Sequence, residues 1–194
     1  MTASPYESQG AARFRKHAVL LSALAAVFRR LPGLAAATLE RTRGRSGVAV
    51  ALRYCALKAL AQECGENVFI DENVVIKNVD KLCVGSNVSI HCFCYIECLG
   101  GVRIGNDVSI AHASSILSFE HGYDAVDRPI KYNELVLSPV VIDDDCWIGC
   151  GARLLAGASI ERRVVVAAGA VVKGRLAGGG IYGGVPARRL KDIA

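Results

Sequence analysis

The sequence predicts an all-β chain wound as a parallel β-helix of six-residue repeats, with an N-terminal α-helical extension and one excursion loop. Three observations carry this. The segments CGENVFI from Cys64, VGSNVSI from Val84 and IGNDVSI from Ile104 align at a constant offset of 20 residues. Apolar residues recur every six places, as Cys64, Ile70, Ile76, then Val84, Ile90, Ile96, then Ile104, Ile110, Ile116. Turn formers hold fixed places between them, as Gly65, Gly85, Gly105 and Asn67, Asn87, Asp107. A period of six fits neither a helix nor a simple strand; it fits a unit that stacks on itself.

Six residues make a short strand and a turn, three such sides close a coil, and successive coils stack about 4.8 Å apart. Each coil buries its apolar ladder only against its neighbours. Glycine, Asn and Asp suit the corners because they adopt positive φ at low cost. The two residues beyond eighteen make one corner longer, visible as Gly100-Gly101. The ladder breaks after Leu117 and resumes as Ile142, Ile148, Leu154 and Ile160, Val166, Val172. Residues 1–63 thus read as the helical extension and 64–194 as the β-helix, with the excursion at 118–139.

In chain order, residues 1–12 are small and polar and are expected to be poorly ordered. Arg13, Arg15 and Lys16 precede an apolar run of eleven residues, Ala18 to Phe28, followed by Arg29, Arg30 and a Leu31-Pro32-Gly33 stop. No small-residue cleavage site suggests a signal peptide, and a membrane span needs about 20 apolar residues. The run is expected to be a helix that packs on a neighbour or rests on a membrane surface with its basic flanks. Glu40 to Ser46 is a charged link. Gly47 to Glu63 reads as a second helix, with Val48, Leu52, Cys55, Ala59 and Leu60 on one face, covering the open first coil. The end, Gly184 to Lys191, reads as a basic tail.

The net charge of +5 is uneven. Residues 1–63 hold ten Lys/Arg against three Asp/Glu, and residues 64–194 hold thirteen against fifteen. The basic half is rich in alanine and leucine without interleaved aromatics, which argues against nucleic acid as a partner. Of eight cysteines, Cys64, Cys94 and Cys146 fall on inward positions, where they act as small hydrophobes. So many unpaired thiols point to a reducing compartment, the cytoplasm.

Four histidines are the natural candidates for chemistry. His17 lies in the first helix, expected to face solvent. His91 and His112 follow ladder isoleucines and point outward. His121 stands on the excursion, the one irregular element of a rigid scaffold, where loops tend to carry function.

The run ASSILSFEHGYD, the loop Arg128-Pro129-Ile130, the restart from Pro139 through Trp147-Ile148-Gly149 and the terminal Gly184-Val185-Pro186-Ala187-Arg188 together resemble the hexapeptide-repeat O-acetyltransferases. The branch they resemble is that of sugar and polysaccharide acetyltransferases, such as the maltose, galactoside and nodulation-factor enzymes. The resemblance implies a left-handed β-helix, a homotrimer, acetyl-CoA as donor bound between neighbouring coils, no metal, and a sugar or glycan acceptor. It implies His121 as general base, with Glu134 orienting the imidazole or the sugar. An alcohol is a poor nucleophile, and an imidazole can take its proton during attack on the thioester, with backbone N–H groups meeting the oxyanion. For the coenzyme it implies Trp147, Gly149, Cys150, Ala168 and Lys173, with Arg188 and Lys191 toward the phosphates. His91, Glu97 and His112 are acceptor candidates by position alone. The chain departs from the family at Val171-Val172-Lys173-Gly174, where Val-Thr-Lys-Asp is common. Two rivals stand beside this reading: a β-helix scaffold without catalysis, and a zinc hydratase of the γ-carbonic-anhydrase type using His91, His112 and His121. A lipid-linked acceptor would give the basic N-terminal helices a peripheral membrane role.

Overall fold

In the computed structural model, which describes residues 9–193, the strands stack as a parallel β-solenoid of about six turns behind three N-terminal helices. The first face carries Glu63–Cys64, Leu82–Val84, Val102–Ile104, Val140–Ile142, Ser159–Ile160 and Arg175–Leu176. The second carries Phe69–Ile70, Ser89–Ile90, Ser109–Ile110, Trp147–Ile148, Val165–Val166 and Gly180–Gly183. The third carries Val75–Lys77, Tyr95–Glu97, Ser115–Leu117, Arg153–Leu154 and Val171–Val172. The ladder residues line the interior: Ile90, Ile110, Ile148 and Val166 stack in register on the second face, and Ile96, Ile116, Leu154 and Val172 on the third, all fully buried.

At the corner joining the first and second faces, Asn67, Asn87, Asp107 and Asp145 take positive φ. There Asn67 Nδ2 donates to Asn87 Oδ1 and Asn87 Nδ2 to Asp107 Oδ1, each at 3.0 Å, so the polar column bonds to itself down the stack. Glycine precedes it because a Cβ on Gly85 would sit 2.7 Å from the Gly105 carbonyl oxygen of the next coil.

The 20-residue offset belongs only to the first coils. Register pairs Cys64 with Val84 and Val84 with Ile104, but then Ile142 with Ile160 and Ile160 with Leu176. The difference falls at the corner joining the third face to the first. It holds the 3-10 turn Val79–Lys81 in one coil and Gly100-Gly101 in the next, and shrinks to Lys173-Gly174 in the last. The excursion leaves from this same corner. Where the coil tolerates extra residues, it also tolerates a long insertion.

The helices are α1 (Gln9–Arg30), α2 (Pro32–Arg41) and α3 (Gly47–Leu60). The expectation of disorder over residues 1–12 falls partly on residues 1–8, outside the described residues; Gln9 to Ala12 are already helical. α1 outruns its apolar stretch because its flanks are alanine, arginine and lysine, strong helix formers. α1 ends at Arg30, at the expected Leu31-Pro32-Gly33 stop, but Pro32 also opens a further helix not foreseen from the sequence. Pro32 occupies the first turn of α2, where its missing N–H costs nothing. Ser46 caps α3, its side chain accepting from the Ala49 N–H at 3.2 Å.

As expected, α3 covers the first coil, but its buried residues are Ala49, Arg53, Tyr54, Cys55, Ala56 and Leu57, while Val48 of the expected face is exposed, because α3 is packed between the coil and α1 and α2. Arg53 is buried, its Nε donating to the Ile70 carbonyl at 2.8 Å, and Tyr54 Oη donates to the Gly65 carbonyl at 3.2 Å. Next to this, Arg45 holds Asp71 through paired bonds of 2.9 and 2.7 Å. Burial pushes the Asp71 carboxyl up, but Arg45 and the Glu72 N–H outweigh it and leave it below the usual carboxylate range. A depressed carboxylate stabilises the fold above its unfolded pKa of about 3.9, and that contribution is lost as pH falls through the folded value. Asp71→Asn is therefore expected to flatten the acid limb of urea stability measured against pH, and an unchanged acid limb would contradict the pairing.

Cys94 and Cys146 are buried as expected, and burial raises the thiols of Cys94 to about 11 and Cys64 to about 12. All eight cysteines are free. Among the described residues no single helix is long and apolar enough to cross a membrane; only the bent pair Phe14–Arg30 and Pro32–Arg41 passes by length and composition.

Candidate active site

The excursion is a folded arm. Phe119–His121 pairs antiparallel with Leu135–Leu137, matching Phe119 to Leu137, Glu120 to Val136 and His121 to Leu135. The Gly122 N–H donates to the Glu134 carbonyl at 2.9 Å, closing the ladder beyond His121. Glu134 is therefore one register step from the partner of His121, and both are exposed. At the tip, Asn133 Oδ1 accepts from the Ala125 N–H at 3.0 Å, ahead of which lies the short turn Ile130–Tyr132. The arm's root is Ser118 and Ser138, joined by a 3.0 Å backbone bond. Its flank lies over later coils: the Gly157 N–H donates to the Ser138 carbonyl at 3.3 Å, and Lys173 Nζ meets Glu120 Oε1 at 3.5 Å. Lys173 thus stands beside the arm. No sequence signal had marked Glu120 as its partner, since the contact joins residues two coils apart.

The corner joining the second and third faces gathers most of the other candidates. Backbone bonds from the Gly151 N–H to the His112 carbonyl and from the Gly169 N–H to the Cys150 carbonyl, 3.0 and 2.8 Å, stack His112, Cys150 and Ala168 in one column. His91 and Gly149 hold the preceding step of the same corner, the His91 N–H donating to the Ile110 carbonyl and the Gly149 N–H to the Val166 carbonyl. Gly149 has no room for a side chain, because a Cβ would lie 2.6 Å from the Ala168 nitrogen. Among the described residues the N–H groups of Cys150 and Ala168 make no backbone hydrogen bond; Ala168 is exposed and Cys150 half-buried. Trp147 projects from the second face just before this corner and is 54% exposed.

The chain end extends the same surface. Instead of a loose basic tail, Arg188–Asp192 is a strand antiparallel to Gly180–Gly183, with Arg188 opposite Gly183 and Lys191 opposite Ile181. Arg188 therefore stands at the end of the strand that leads into the Cys150–Ala168 corner, and Lys191 farther along the second face. Both side chains are exposed.

Glu97 is not brought to this corner. It lies under the root of the arm, 8% exposed, its carboxylate accepting from Asn78 Nδ2 and from Tyr95 Oη, while its carbonyl accepts from Ser118 Oγ at 2.7 Å. His121 is also apart from His91 and His112. Among the described residues no group of three or more His, Cys, Asp or Glu is placed to hold a metal ion. In one chain, then, His121 and the Cys150–Ala168 column occupy different corners of the prism.

Residues 139–174 match the bacterial transferase hexapeptide family, six repeats. A probable acetyltransferase of Mycobacterium tuberculosis strain H37Rv is 33% identical to this hexapeptide-repeat chain over 153 residues, 78% of the chain and 51% of that protein. The chain spans about half the length of the curated relatives it matches. Two solved structures share its fold. A hexapeptide-repeat acetyltransferase of Vibrio cholerae O1 biovar eltor, solved with acetyl coenzyme A, superposes with TM-score 0.74 at 24% identity, covering 87% of this chain and 88% of that one. A maltose O-acetyltransferase of Clostridium difficile 630 does so with TM-score 0.73 at 24% identity, covering 88% and 89%.

Proposed function

We propose that the chain is an acetyl-CoA-dependent O-acetyltransferase that acts on a hydroxyl of a sugar or glycan precursor, with His121 as general base and the site completed between copies of a homotrimer. One observation carries the reading. The exposed histidine is on an arm at one corner, while the column of small residues with unpaired backbone N–H groups, suited to a pantetheine arm, is at another. Neither corner is sufficient alone, and a threefold assembly supplies each column with a neighbour's arm. The fold shared with an acetyltransferase solved with acetyl-CoA and with a maltose O-acetyltransferase supports the donor and the acceptor class.

In this mechanism the acceptor hydroxyl gives its proton to the His121 imidazole as its oxygen bonds to the thioester carbonyl carbon. The N–H groups of Cys150 and Ala168, which make no backbone bond, are the donors offered to the oxyanion. Collapse breaks the carbon–sulfur bond, and the imidazolium returns the proton to the leaving thiolate. Glu134, on the same hairpin end, orients the imidazole or the sugar. Trp147 and Gly149 border the pantetheine path, Lys173 steadies the arm through Glu120, and Arg188 and Lys191 offer cations to the coenzyme phosphates. His91 and His112, higher on the same corner, face the acceptor. The free thiols fit a cytoplasmic setting, where the donor is made.

The direct test is acetyl-CoA turnover followed as released thiol, against a panel of sugars and nucleotide sugars. Acceptor-dependent release is expected. A protein that fails to bind acetyl-CoA in a calorimetric titration would refute the proposal and return the chain to the scaffold reading.

A further inference from the structure

We infer that α1 and the α1–α2 elbow form a docking surface for an anionic lipid bilayer, on which the chain sits without crossing. The observation is an inversion of the usual surface helix. α1 buries Ala25 and Phe28, with Phe14, Leu21 and Leu24 half-buried against α3 and the core. A helix with one such face ordinarily presents charge on the other. Here the opposite side carries Val19, Leu20, Ala23, Ala26 and Val27, all exposed, with Val19 86% and Leu20 67% accessible. Between Lys16 and Arg29 there is no Asp, Glu, Lys or Arg. Leu31 and Leu34 continue this exposed apolar surface around the elbow, where α2 departs at 116°.

The charges frame the patch. Lys16 stands at one end of it and Arg29 and Arg30 at the other, with Arg41 and Arg43 on and after α2, all exposed. Among the described residues, Lys16, Arg29, Arg30 and Arg41 form no ion pair. Residues 9–45 hold eight Lys/Arg and a single acid, Glu40, while the β-helix beyond residue 63 carries more acids than bases. An apolar strip flanked by cations is the pattern of a helix lying in the bilayer interface. A second copy of this chain would bring the same cations together around an apolar contact, whereas anionic headgroups complement them. The bent pair is too sharply broken to act as a straight span, and its apolar side is open while its other side is anchored to α3. The surface therefore rests on the membrane, and the inference stands apart from the acetyl-transfer reading.

Full-length protein is floated with vesicles of phosphatidylcholine alone and of phosphatidylcholine containing phosphatidylglycerol. Binding is expected only to the anionic vesicles, weakening as salt is raised. Each cation near such a surface contributes about fivefold, so Arg29→Glu with Arg30→Glu is expected to weaken binding by at least about 25-fold. Val19→Asn with Leu20→Asn, both at exposed positions, removes inserted apolar area and is expected to cost at least about tenfold. Both variants keep thiol release with a soluble acceptor, which separates this test from the function proposal. Absence of binding to either vesicle, or binding indifferent to both pairs of substitutions, overturns the inference. So does a change in solution mass on Val19→Asn/Leu20→Asn without vesicle binding, since the face would then lie between copies.

Discussion

Replacing His121 by alanine is expected to lower acceptor-dependent acetyl transfer by at least about a hundredfold, the usual size of a general-base effect. Acetyl-CoA affinity is expected to stay as it was. The arm should survive the change, because its ladder uses backbone groups of residues 119–121 and 135–137, and the side chain is exposed. Thiol release and a calorimetric titration on the same preparation separate chemistry from binding. A second variant tests where the base acts. Ala168→Trp fills the step of the column proposed to hold the coenzyme while leaving His121 intact. If each site takes its histidine from one copy and its column from the next, mixed assemblies of the two inactive variants regain about a quarter of wild-type activity by random assortment in a closed ring. No recovery in mixtures shown to exchange copies would place base and column in one chain, and full activity in His121→Ala would remove the residue from the mechanism.

Gly100→Ala is expected to cost about 2–3 kcal/mol of stability, as overpacking against rigid neighbours does, and to reduce activity as well. A Cβ there would lie 2.0 Å from the Ser118 carbonyl oxygen and 3.0 Å from the Ser138 nitrogen, the two roots of the arm. Both contacts are backbone, so neither can swing aside. The same glycine's N–H donates to Ser118 Oγ at 2.9 Å, fixing the root from the other side. Making room must move the arm, and a displacement of about 1 Å at a reacting group can cost about a hundredfold in rate. Urea unfolding and thiol release read the two effects. Gly33→Ala is the control: nothing lies within 4 Å of its Cβ position, so no loss is expected. A Gly100→Ala protein of unchanged midpoint and activity would show that the root gives way without carrying His121 along.

Much of the architecture was legible in the residues because a stacked coil repeats the same local chemistry. The six-residue ladder, the Asn/Asp corner column and the inward Cys94 and Cys146 each follow from side-chain type and spacing, and the structure bears them out. The covering role of the residue 47–63 segment was readable too, since an open coil exposes unpaired backbone. The helix after Pro32 was missed, as proline starts a helix as readily as it stops one. The paired strands of the arm were missed because the polar excursion separates them, and the strand Arg188–Asp192 because neither it nor its glycine-rich neighbour Gly180–Gly183 alternates apolar with polar residues.

Local sequence therefore settled the coil, its core and the place of His121 on the excursion, all consequences of short-range pattern. Only the folded chain decided which candidates share a corner. Sequence distance says little about that in a solenoid: His112, Cys150 and Ala168 are far apart along the chain yet stack in one column. His121, only nine residues beyond His112, belongs to a different edge of the prism. The reason is geometric, because each turn of three faces returns the chain to the same corner, and residues become neighbours by completed turns, not by proximity in sequence.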